Sequence, residues 1–314
     1  MKHLFIINPA AGKADRTTDI FAVASGVFTK RNEEFEIYVT KAPMDAAVEI
    51  RRQAGENEYL RVYSCGGDGT FNECVCGAAG LNNVAVAPFA TGTGNDFIRM
   101  FGEEKKYFFD MEGLVDGEVY PMDIIECNGR ACANIASVGF DARIAADVHK
   151  YSRIPLIGGA TGYVTSLVVN FIKGISQKMR LSGCGYKNEG EYILVCACNG
   201  RYYGGGFNPV PDAVPDDGLM DILVVSNVPR IKAAGLVMKY ARGEADKIPA
   251  YITHLRGREF DINLDDESVI NVDGEAVFGR NIHLELIPNG VNFIVPRGMS
   301  FFKKSSQAKL VTES

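Results

Sequence analysis

The first third of the chain alternates short apolar runs with segments whose apolar residues recur every three or four positions. The runs predict four buried strands, at residues 4–7, 35–40, 60–65 and 84–88. The periodic segments predict three helices, at residues 17–30, 44–55 and 71–79. Strands that alternate with helices are typical of a parallel sheet with helices packed on its faces. This part of the chain is therefore predicted to be an α/β domain.

The pattern changes after about residue 120 to apolar runs separated by tight-turn residues. Asn128-Gly129, between runs at 121–127 and 130–137, predicts a β-hairpin, and Asp217-Gly218 and Asp273-Gly274 predict two more turns. Further strands are predicted at 192–198, 219–225, 260–264, 269–272 and 282–287, and helices at 149–174 and 228–242. This half is predicted to be a β-rich sandwich, and a last strand at 292–295 is expected to return to the first domain.

Composition narrows the class of protein. The chain has 314 residues, with 33 Lys and Arg against 39 Asp and Glu, so its net charge is −6 and no overall basic field favours nucleic acid. The 8 cysteines occur without a secretory leader or a metal-ligand spacing, which indicates reduced thiols. The most membrane-like stretch, residues 163–172, is shorter than the roughly 20 residues that a span needs. We expect a cytoplasmic protein that touches a bilayer only from outside.

A glycine-rich loop between a predicted strand and a predicted helix carries the strongest chemical signal. In Gly66-Gly-Asp-Gly-Thr70 the glycines permit φ > 0 and let backbone amides approach an anion, and the helix N-terminus adds partial positive charge. The alternative is a turn that only joins the two elements. The carboxylate of Asp68 would repel a phosphate if it acted alone. Its presence in the loop therefore suggests that Asp68 acts with Mg²⁺ or accepts a proton from an attacking hydroxyl.

Two other loops follow predicted strands. The first, Asn8-Pro-Ala-Ala-Gly-Lys13, offers a lysine as a counter-charge to phosphate and lacks the Walker A pattern. The second contains Thr93, which can donate a hydrogen bond to a phosphate. It also contains Asn95 and Asp96, and for Asp96 a helix-capping role and a functional role are equally favoured. Carboxyl ends of parallel strands share one edge of a sheet, and the three loops are expected to meet there.

Four motifs in this order resemble the diacylglycerol-kinase-type lipid kinases, most of all the soluble bacterial members. They are Asn8-Pro-Ala-Ala-Gly-Lys13, Gly66-Gly-Asp-Gly-Thr70, Gly92-Thr-Gly-Asn-Asp-Phe97 and Val272-Asp-Gly-Glu275. The resemblance implies an N-terminal parallel-sheet nucleotide-binding domain of the NAD kinase and phosphofructokinase type, followed by a C-terminal β-rich sandwich. The implied boundaries are a catalytic domain at 1–120 with a return segment at about 290–302, a lipid-substrate domain at 121–289, and a polar tail at 303–314.

The resemblance also implies the site residues. ATP would be bound by Asn8, Ala10, Ala11, Gly12, Lys13, Thr40, Gly66, Gly67, Asp68, Gly69, Thr70 and Thr93. Glu275 would accept the proton of the lipid hydroxyl, while Asp68 and Asp123 would belong to the magnesium and acid-base network; the choice of Glu275 or Asp68 as general base stays open. Without the resemblance, Glu275 is interpreted as an exposed carboxylate beside a turn.

A structural Mg²⁺ is implied at a second place, by the Asp217 carboxylate and the backbone carbonyls of Val214 and Leu219. A plain Asp-Gly turn explains the same residues almost as well. Neither reading affects the nucleotide site.

The predicted function is ATP- and Mg²⁺-dependent transfer of the γ-phosphate to a lipid hydroxyl, with diacylglycerol as the first choice of acceptor. The alternatives are an NAD kinase-like enzyme and a non-catalytic lipid-binding protein on the same fold. A lipid in a bilayer implies a transient, peripheral membrane contact, because each buried methylene holds the lipid by about 0.8 kcal/mol. A homodimer is expected from the resemblance alone.

Overall fold

The computed structural model describes residues 1–9, 11, 15–31, 33–90, 95–143 and 175–302 of the chain. The chain forms two compact units. Unit 1 contains Met1–Ile124, Val214–Gly218 and Pro288–Ser314, and unit 2 contains Ile125–Ala213 and Leu219–Ile287. The predicted helix at 149–174 and the predicted tail at 303–314 lie outside the described residues.

Unit 1 is built on parallel strands with helices between them. Its strands are β1 (Lys2–Ile7), β2 (Phe35–Val39), β3 (Leu60–Cys65) and β4 (Val84–Pro88). Its helices are α1 (Thr17–Phe28), α2 (Asp45–Glu56), α3 (Asp68–Ala78), α4 (Asp96–Arg99) and α5 (Met111–Val115), with a 3-10 helix at Gly102–Phe109. The strand order is β4-β3-β1-β2, and every neighbouring pair is parallel.

The apolar pattern explains why these segments pack as they do. Strands β3 and β4 are buried along their whole length, as expected for a sheet covered on both faces. Helix α3 buries Phe71, Cys74, Val75 and Ala78, the face that the sequence predicts. A Cβ on Gly77 would lie 2.9 Å from the Cα of Ala47, so this glycine lets α3 approach α2 closely.

Unit 2 is mainly antiparallel β-structure. Its strands are the end of β5 (Glu118–Cys127), then β6 (Arg130–Cys132), β7 (Ile135–Gly139), β8 (Gln177–Gly183), β9 (Tyr186–Cys198), β10 (Met220–Ser226), β11 (Ile252–Gly257), β12 (Glu259–Val272) and most of β13 (Glu275–Val295). The order β11-β10-β9-β7-β12-β13 is antiparallel throughout, β8 pairs with β9 and β12, and β6 pairs with β5. One helix, α6 (Arg230–Ala241), follows β10.

Strand β10 shows why the pattern in this unit is not a simple alternation. Ile222 and Val224 belong to the core formed with β9, β12 and β13, whereas Leu223 and Val225 belong to a second apolar cluster that includes Tyr240 of α6. Both faces of the strand are therefore buried, and its sequence is apolar at consecutive positions.

The predicted fold class is confirmed: a parallel α/β part is followed by a β-rich part that is mainly antiparallel. The predicted return of the last strand is found as well, because β13 pairs in parallel with β4 through Asn292 and Ala85. Two of the three predicted turns have two residues with positive φ, Asn128 and Gly129 in one and Asp273 and Gly274 in the other, which is the conformation of a type I′ turn.

Several predicted boundaries are wrong. The single strand predicted at 130–137 is broken after Cys132, and the runs at 260–264 and 269–272 form one strand, β12, with an irregular register after Asn263. The runs at 282–287 and 292–295 likewise belong to one strand, β13. The predicted strand at 192–198 is the second half of β9, whereas β8, the first half of β9 and β11 have no counterpart among the predictions.

Candidate active site

The segments that follow the parallel strands of unit 1 meet at one edge of its sheet. Thr40, directly after β2, donates its backbone N–H to the carbonyl oxygen of Ile7 at 2.9 Å, and its hydroxyl donates to the same oxygen at 3.3 Å. This pairing places Thr40 beside the start of the first loop, Asn8. Phe89, after β4, donates its backbone N–H to the carbonyl oxygen of Ser64 in β3 at 2.9 Å. Ligands of open parallel sheets bind beyond this kind of edge.

The glycine loop after β3 enters helix α3 within two residues. Helix α3 begins at Asp68, three residues earlier than the predicted start at Phe71, so Asp68, Gly69 and Thr70 form its first turn. Gly67 is extended, with φ −92° and ψ −168°. The N–H groups of a first helical turn have no partner within the helix and attract anions.

Gly66 is required by close packing rather than by a left-handed backbone. A Cβ at this position would lie 2.4 Å from the hydroxyl oxygen of Thr70, whose side chain is buried. The loop therefore folds tightly over its own helix start. Any residue larger than glycine at position 66 would displace Thr70.

The carboxylate of Asp68 joins two of the loops. One of its oxygens accepts the backbone N–H of Asp96 at 2.9 Å, and the other accepts the backbone N–H of Phe97 at 3.2 Å. These amides start helix α4, so Asp68 caps that helix from another element. Asn95 stands at the N-cap position of α4 but makes no side-chain capping hydrogen bond. The Asp96 carboxylate lies 3.2 Å from the guanidinium of Arg99.

Part of the predicted nucleotide site lies outside the described residues, namely Ala10, Gly12, Lys13 and Thr93. The described part is formed by Asn8, Ala11, Thr40 and the loop 66–70. Ala11 donates its backbone N–H to the carbonyl oxygen of Asn8 at 3.1 Å, which closes a turn directly after β1. The described residues thus follow β1, β2 and β3 at the edge that sequence reasoning assigns to ATP.

Asp123 is brought together with the segment that carries Asp217. The Asp123 carboxylate accepts the backbone N–H of Gly218 at 2.7 Å and that of Asn289 at 2.8 Å, and its own N–H donates to the carbonyl oxygen of Pro215 at 2.8 Å. Burial raises the pKa of the Asp123 carboxyl, the two amide hydrogen bonds oppose this, and the charges of Asp216 and Asp217 raise it further. Asp123 therefore fixes the turn that carries the predicted structural metal site.

Within the described ranges, no group of three or more His, Cys, Asp or Glu side chains is arranged to hold a metal ion. The predicted set at residues 214–219 is of a different kind, because it consists of one carboxylate and two backbone carbonyls. These ligands remain a prediction.

Glu275 is the first residue of β13 in unit 2, and its side chain is exposed. It pairs with Val272 across the turn formed by Asp273 and Gly274. The backbone N–H of Gly274 donates to the side-chain oxygen of Asn271 at 2.9 Å. The position of Glu275 is thus fixed by a tight, internally bonded turn.

Asp273 anchors this turn to the interior of unit 2. Its carboxylate accepts backbone N–H groups from three consecutive residues at 2.7, 3.0 and 2.9 Å: Ala133, Asn134 and Ile135. The thiol of Cys132 lies 3.0 Å from the same carboxylate, and burial, followed by the Asp273 charge, raises the pKa of the thiol, so it stays protonated and donates. These bonds explain why the strand predicted at 130–137 breaks. Sequence reasoning interpreted Asp273 only as a turn residue.

Two family models match successive parts of the chain. Residues 2–127 match the model of the diacylglycerol kinase catalytic domain, and residues 134–295 match the model of the YegS C-terminal NAD kinase beta sandwich-like domain. The chain is 27% identical over 290 residues to the protein called "Probable lipid kinase YegS" of Shigella flexneri, covering 90% of this chain and 93% of that one. It is 26% identical over 273 residues to "Probable lipid kinase YegS-like" of Pseudomonas aeruginosa, covering 86% and 88%.

A solved structure of a diacylglycerol kinase from Bacillus anthracis str. Sterne has the same fold. Its TM-score is 0.67 at 23% identity, and the match covers 95% of this chain and 98% of that chain. At this identity the likeness concerns the fold alone.

Proposed function

We propose that this chain, which belongs to the diacylglycerol kinase catalytic domain family and carries a YegS-type C-terminal domain, is a lipid kinase that transfers the γ-phosphoryl group of ATP to a lipid hydroxyl. Diacylglycerol is the acceptor that we propose first, which would make phosphatidic acid the product. The family and the relatives named lipid kinases support the reaction class.

The observation that supports ATP binding is the loop 66–70 at the start of helix α3. Its tight packing over Thr70 and its position at the N-terminus of helix α3, which favours anions, support a site for phosphate oxygens. Phosphoryl transfer needs positioning and charge neutralisation more than covalent chemistry from the protein. In our proposal the glycine loop would supply the positioning, and Lys13 would supply the charge neutralisation.

Magnesium is proposed to act with the nucleotide. Mg²⁺ in such sites is commonly bound by one or two carboxylates together with phosphate oxygens and water, and Asp68 is a carboxylate at the phosphate-binding edge. A cation at Asp217 would offset the negative charge that raises the pKa of Asp123. Mg²⁺ would neutralise phosphate charge at the first place and tie down the turn at the second.

We propose Glu275 as the group that accepts the proton of the lipid hydroxyl. It is exposed, and its backbone is held by Asn271 and, through Asp273, by the buried amides of unit 2. A base that is held in this way needs no reorganisation when the acceptor arrives. The lipid would be reached by a transient, peripheral contact with the inner face of a membrane. None of the helices that the structure describes is both long and apolar enough to cross one.

The test is ADP release measured with dispersed lipids. Diacylglycerol, phosphatidylglycerol, a sphingoid base and NAD are each supplied with ATP and Mg²⁺, to the unchanged chain and to Asp68→Asn. We expect ADP release that depends on diacylglycerol and is lost in Asp68→Asn. Release only with NAD would favour the NAD kinase-like alternative. Lipid binding without ADP release in the presence of any of the acceptors would favour a non-catalytic lipid-binding protein.

A further inference from the structure

The turn that carries Glu275 is linked through side chains to a carboxylate beyond the end of strand β7. Asn271 holds this turn, because its side-chain oxygen accepts the backbone N–H of Gly274 at 2.9 Å. The side-chain nitrogen of Asn271 donates to the hydroxyl oxygen of Ser137 at 3.4 Å. Asn271 and Ser137 are direct partners in the pairing of β12 with β7, and both are buried. The register of the two strands therefore sets this contact.

The carboxylate of Asp141 receives hydrogen bonds from three other residues. The hydroxyl of Tyr203 donates to it at 2.9 Å, and the backbone N–H of Ala142 donates at 2.7 Å. The hydroxyl of Ser137 is the third donor. Gly139 has φ 126°, and a Cβ there would lie 2.3 Å from a backbone oxygen of strand β9. Only glycine therefore permits the bend that brings Asp141 near Ser137.

The surroundings of Asp141 suit the ionised carboxylate. Burial raises the pKa of its carboxyl, and the hydrogen bonds from Ser137, Tyr203 and Ala142 oppose this. A protonated carboxyl would present a donor to one of these three donors. An ionised carboxylate has no proton and accepts from all of them. Asp141 therefore acts in this group as an acceptor only.

The charge of Asp141 fixes the direction of each bond between it and the turn. Because a carboxylate only accepts, the single proton of the Ser137 hydroxyl points at Asp141. The Ser137 oxygen then only accepts, so the nitrogen of Asn271 faces it and the oxygen of Asn271 faces the Gly274 N–H. With the opposite orientation of this amide, two N–H donors would face each other at Gly274. The bond that holds the turn of Glu275 would then be lost.

We infer that Asp141 is a positioning residue for phosphoryl transfer: through Ser137 and Asn271 it holds the turn that carries Glu275. The inference rests on the proposed function for the role of Glu275, and on the hydrogen bonds themselves for the turn. A residue that positions the base affects the chemical step and not the binding of the nucleotide. Misplacing a reacting group by about 1 Å can lower a rate by about 10²-fold.

Two substitutions break this set of bonds at different links. Asp141→Asn replaces a group that only accepts by an amide that also donates, so the Ser137 hydroxyl loses its fixed direction. Ser137→Ala removes the link and leaves the nitrogen of Asn271 without its partner. Each should lower kcat by about 10-fold to 10²-fold and leave the KM for ATP unchanged.

Asp221→Asn is the matched control for these variants. Asp221 is a buried aspartate of the same unit, and its carboxylate lies 2.7 Å from the ring nitrogen of His254. Neither residue takes part in the bonds between Asp141 and the turn. The control variant should therefore lower the melting temperature, as Asp141→Asn does, and keep the kcat of the unchanged chain.

A reciprocal double variant distinguishes positioning from a loss of stability. Asp141→Asn combined with Asn271→Asp moves the carboxylate to position 271 and the amide to position 141. The moved carboxylate can accept from Ser137 and Gly274, and the Ser137 oxygen can accept from the moved amide, so each donor again has an acceptor. Its kcat should return to within about threefold of that of the unchanged chain. A double variant as slow as Asp141→Asn would overturn the inference.

Hydrogen exchange at Gly274 tests the same bonds without an activity assay. Aspartate labelled with ¹³C at the carbonyl and glycine labelled with ¹⁵N together select Asp-Gly steps in an NMR spectrum. The sequence contains four such steps, which end at Gly69, Gly117, Gly218 and Gly274. Exchange at Gly274 should become about tenfold faster in Asp141→Asn and in Ser137→Ala, and return to its original rate in the double variant. Gly218 is the internal reference, because its N–H donates to Asp123 at 2.7 Å. Unchanged exchange at Gly274 in Asp141→Asn would overturn the inference.

The two assays together separate this inference from the function on which it rests. Faster Gly274 exchange in Asp141→Asn, without lipid-dependent ADP release from the unchanged chain, would overturn the kinase proposal and leave Asp141 as the residue that holds the turn. Lipid-dependent ADP release with the same kcat in Asp141→Asn and the unchanged chain would overturn the positioning role and leave the kinase proposal in place.

Discussion

The carboxylate of Asp68 caps helix α4 through the backbone amides of Asp96 and Phe97, at 2.9 and 3.2 Å. Asp68 is also the first residue of helix α3. One side chain therefore links the glycine loop after β3 to the helix after β4. This role is structural, and it is compatible with a part in phosphoryl transfer, since each carboxylate oxygen has a second lone pair.

The two roles of Asp68 can be separated by substitution. Asp68→Ala should lower the free energy of unfolding by about 2 kcal/mol, because two charge-assisted hydrogen bonds to amides are lost, and it should abolish ADP release. Asp68→Asn keeps one hydrogen-bond acceptor, so it should lose less stability than Asp68→Ala. It should nevertheless abolish ADP release as completely as Asp68→Ala does. Urea unfolding and the ADP assay measure the two effects.

Asp110 is a matched control for the cap. It caps helix α5 by accepting the backbone N–H of Glu112 at 3.1 Å, and it is exposed. Asp110→Ala should cost about 1 kcal/mol of stability and leave ADP release unchanged. Equal activity in Asp68→Asn and the unchanged chain would contradict a chemical role for Asp68.

Glu275→Gln tests the proposed base. The change preserves size and removes the proton acceptor, so kcat should fall by about 10² to 10⁴ while the melting temperature and ATP affinity stay the same. Glu259→Gln is the control, since Glu259 is likewise an exposed glutamate at the first position of a strand, β12. A kcat within a factor of two of the unchanged chain would remove Glu275 from the mechanism.

Asp273→Ala should destabilise unit 2 and lower kcat at the same time. Three backbone N–H groups lose their acceptor, which is expected to cost about 3 kcal/mol, and Glu275 loses the anchor of its turn. Asp265→Ala, in the adjoining strand β12, removes only an exposed ion pair with Arg180 and should cost less than about 1 kcal/mol. Loss of stability with an unchanged kcat would show that the turn does not position Glu275.

The predicted magnesium site at Asp217 can be tested without an activity assay. Mg²⁺ that binds the folded chain raises its melting temperature, and Asp217→Asn should abolish that rise in the absence of ATP. Asp212→Asn changes an exposed carboxylate nearby in the sequence and should preserve it. A Mg²⁺-dependent rise that persists in Asp217→Asn would place the ion elsewhere.

Local sequence chemistry was sufficient to predict most of unit 1. The strands β1, β3 and β4 follow the apolar runs to within two residues, because a sheet buried on both faces needs continuous apolar segments. The turns at Asn128-Gly129 and Asp273-Gly274 were predictable for a similar reason, since few residues adopt positive φ at both central positions. The family motifs then supplied the site residues.

The features that were missed depend on contacts between distant residues. Asp68 caps a helix 28 residues further along the chain, and no nearby residue signals this. The hairpin of β8 and β9 turns at Cys184-Gly185, where Cys184 has φ 52°; cysteine is not a residue expected in such a turn. The break after Cys132 is caused by Asp273, which is 139 residues from Asn134. Sequence patterns do not report such tertiary bonds.

His3 makes the stability of unit 1 depend on pH. Its side chain is fully buried, its Nδ1 lies 2.9 Å from the Tyr63 hydroxyl, and burial, followed by the charge of Arg61, lowers the pKa of His3 to about 4. In the unfolded chain the His3 imidazole becomes protonated near pH 6.5, whereas in the folded chain it becomes protonated only near pH 4. The contribution of neutral His3 is therefore complete above pH 6.5 and is lost as the pH falls toward 4.

Replacing this histidine should flatten the pH dependence. In urea unfolding, the unchanged chain should lose roughly 2 kcal/mol more than His3→Gln between pH 7.5 and pH 4.5, in line with a shift of that size. His283→Gln is the control, because His283 is exposed and its Asp261 partner raises its pKa. This variant retains His3, so its free energy of unfolding should still fall at acid pH by at least as much as that of the unchanged chain. Parallel pH curves for the unchanged chain and His3→Gln would mean that His3 becomes charged without cost in the folded state, and the buried pair with Tyr63 could not be the source of acid sensitivity.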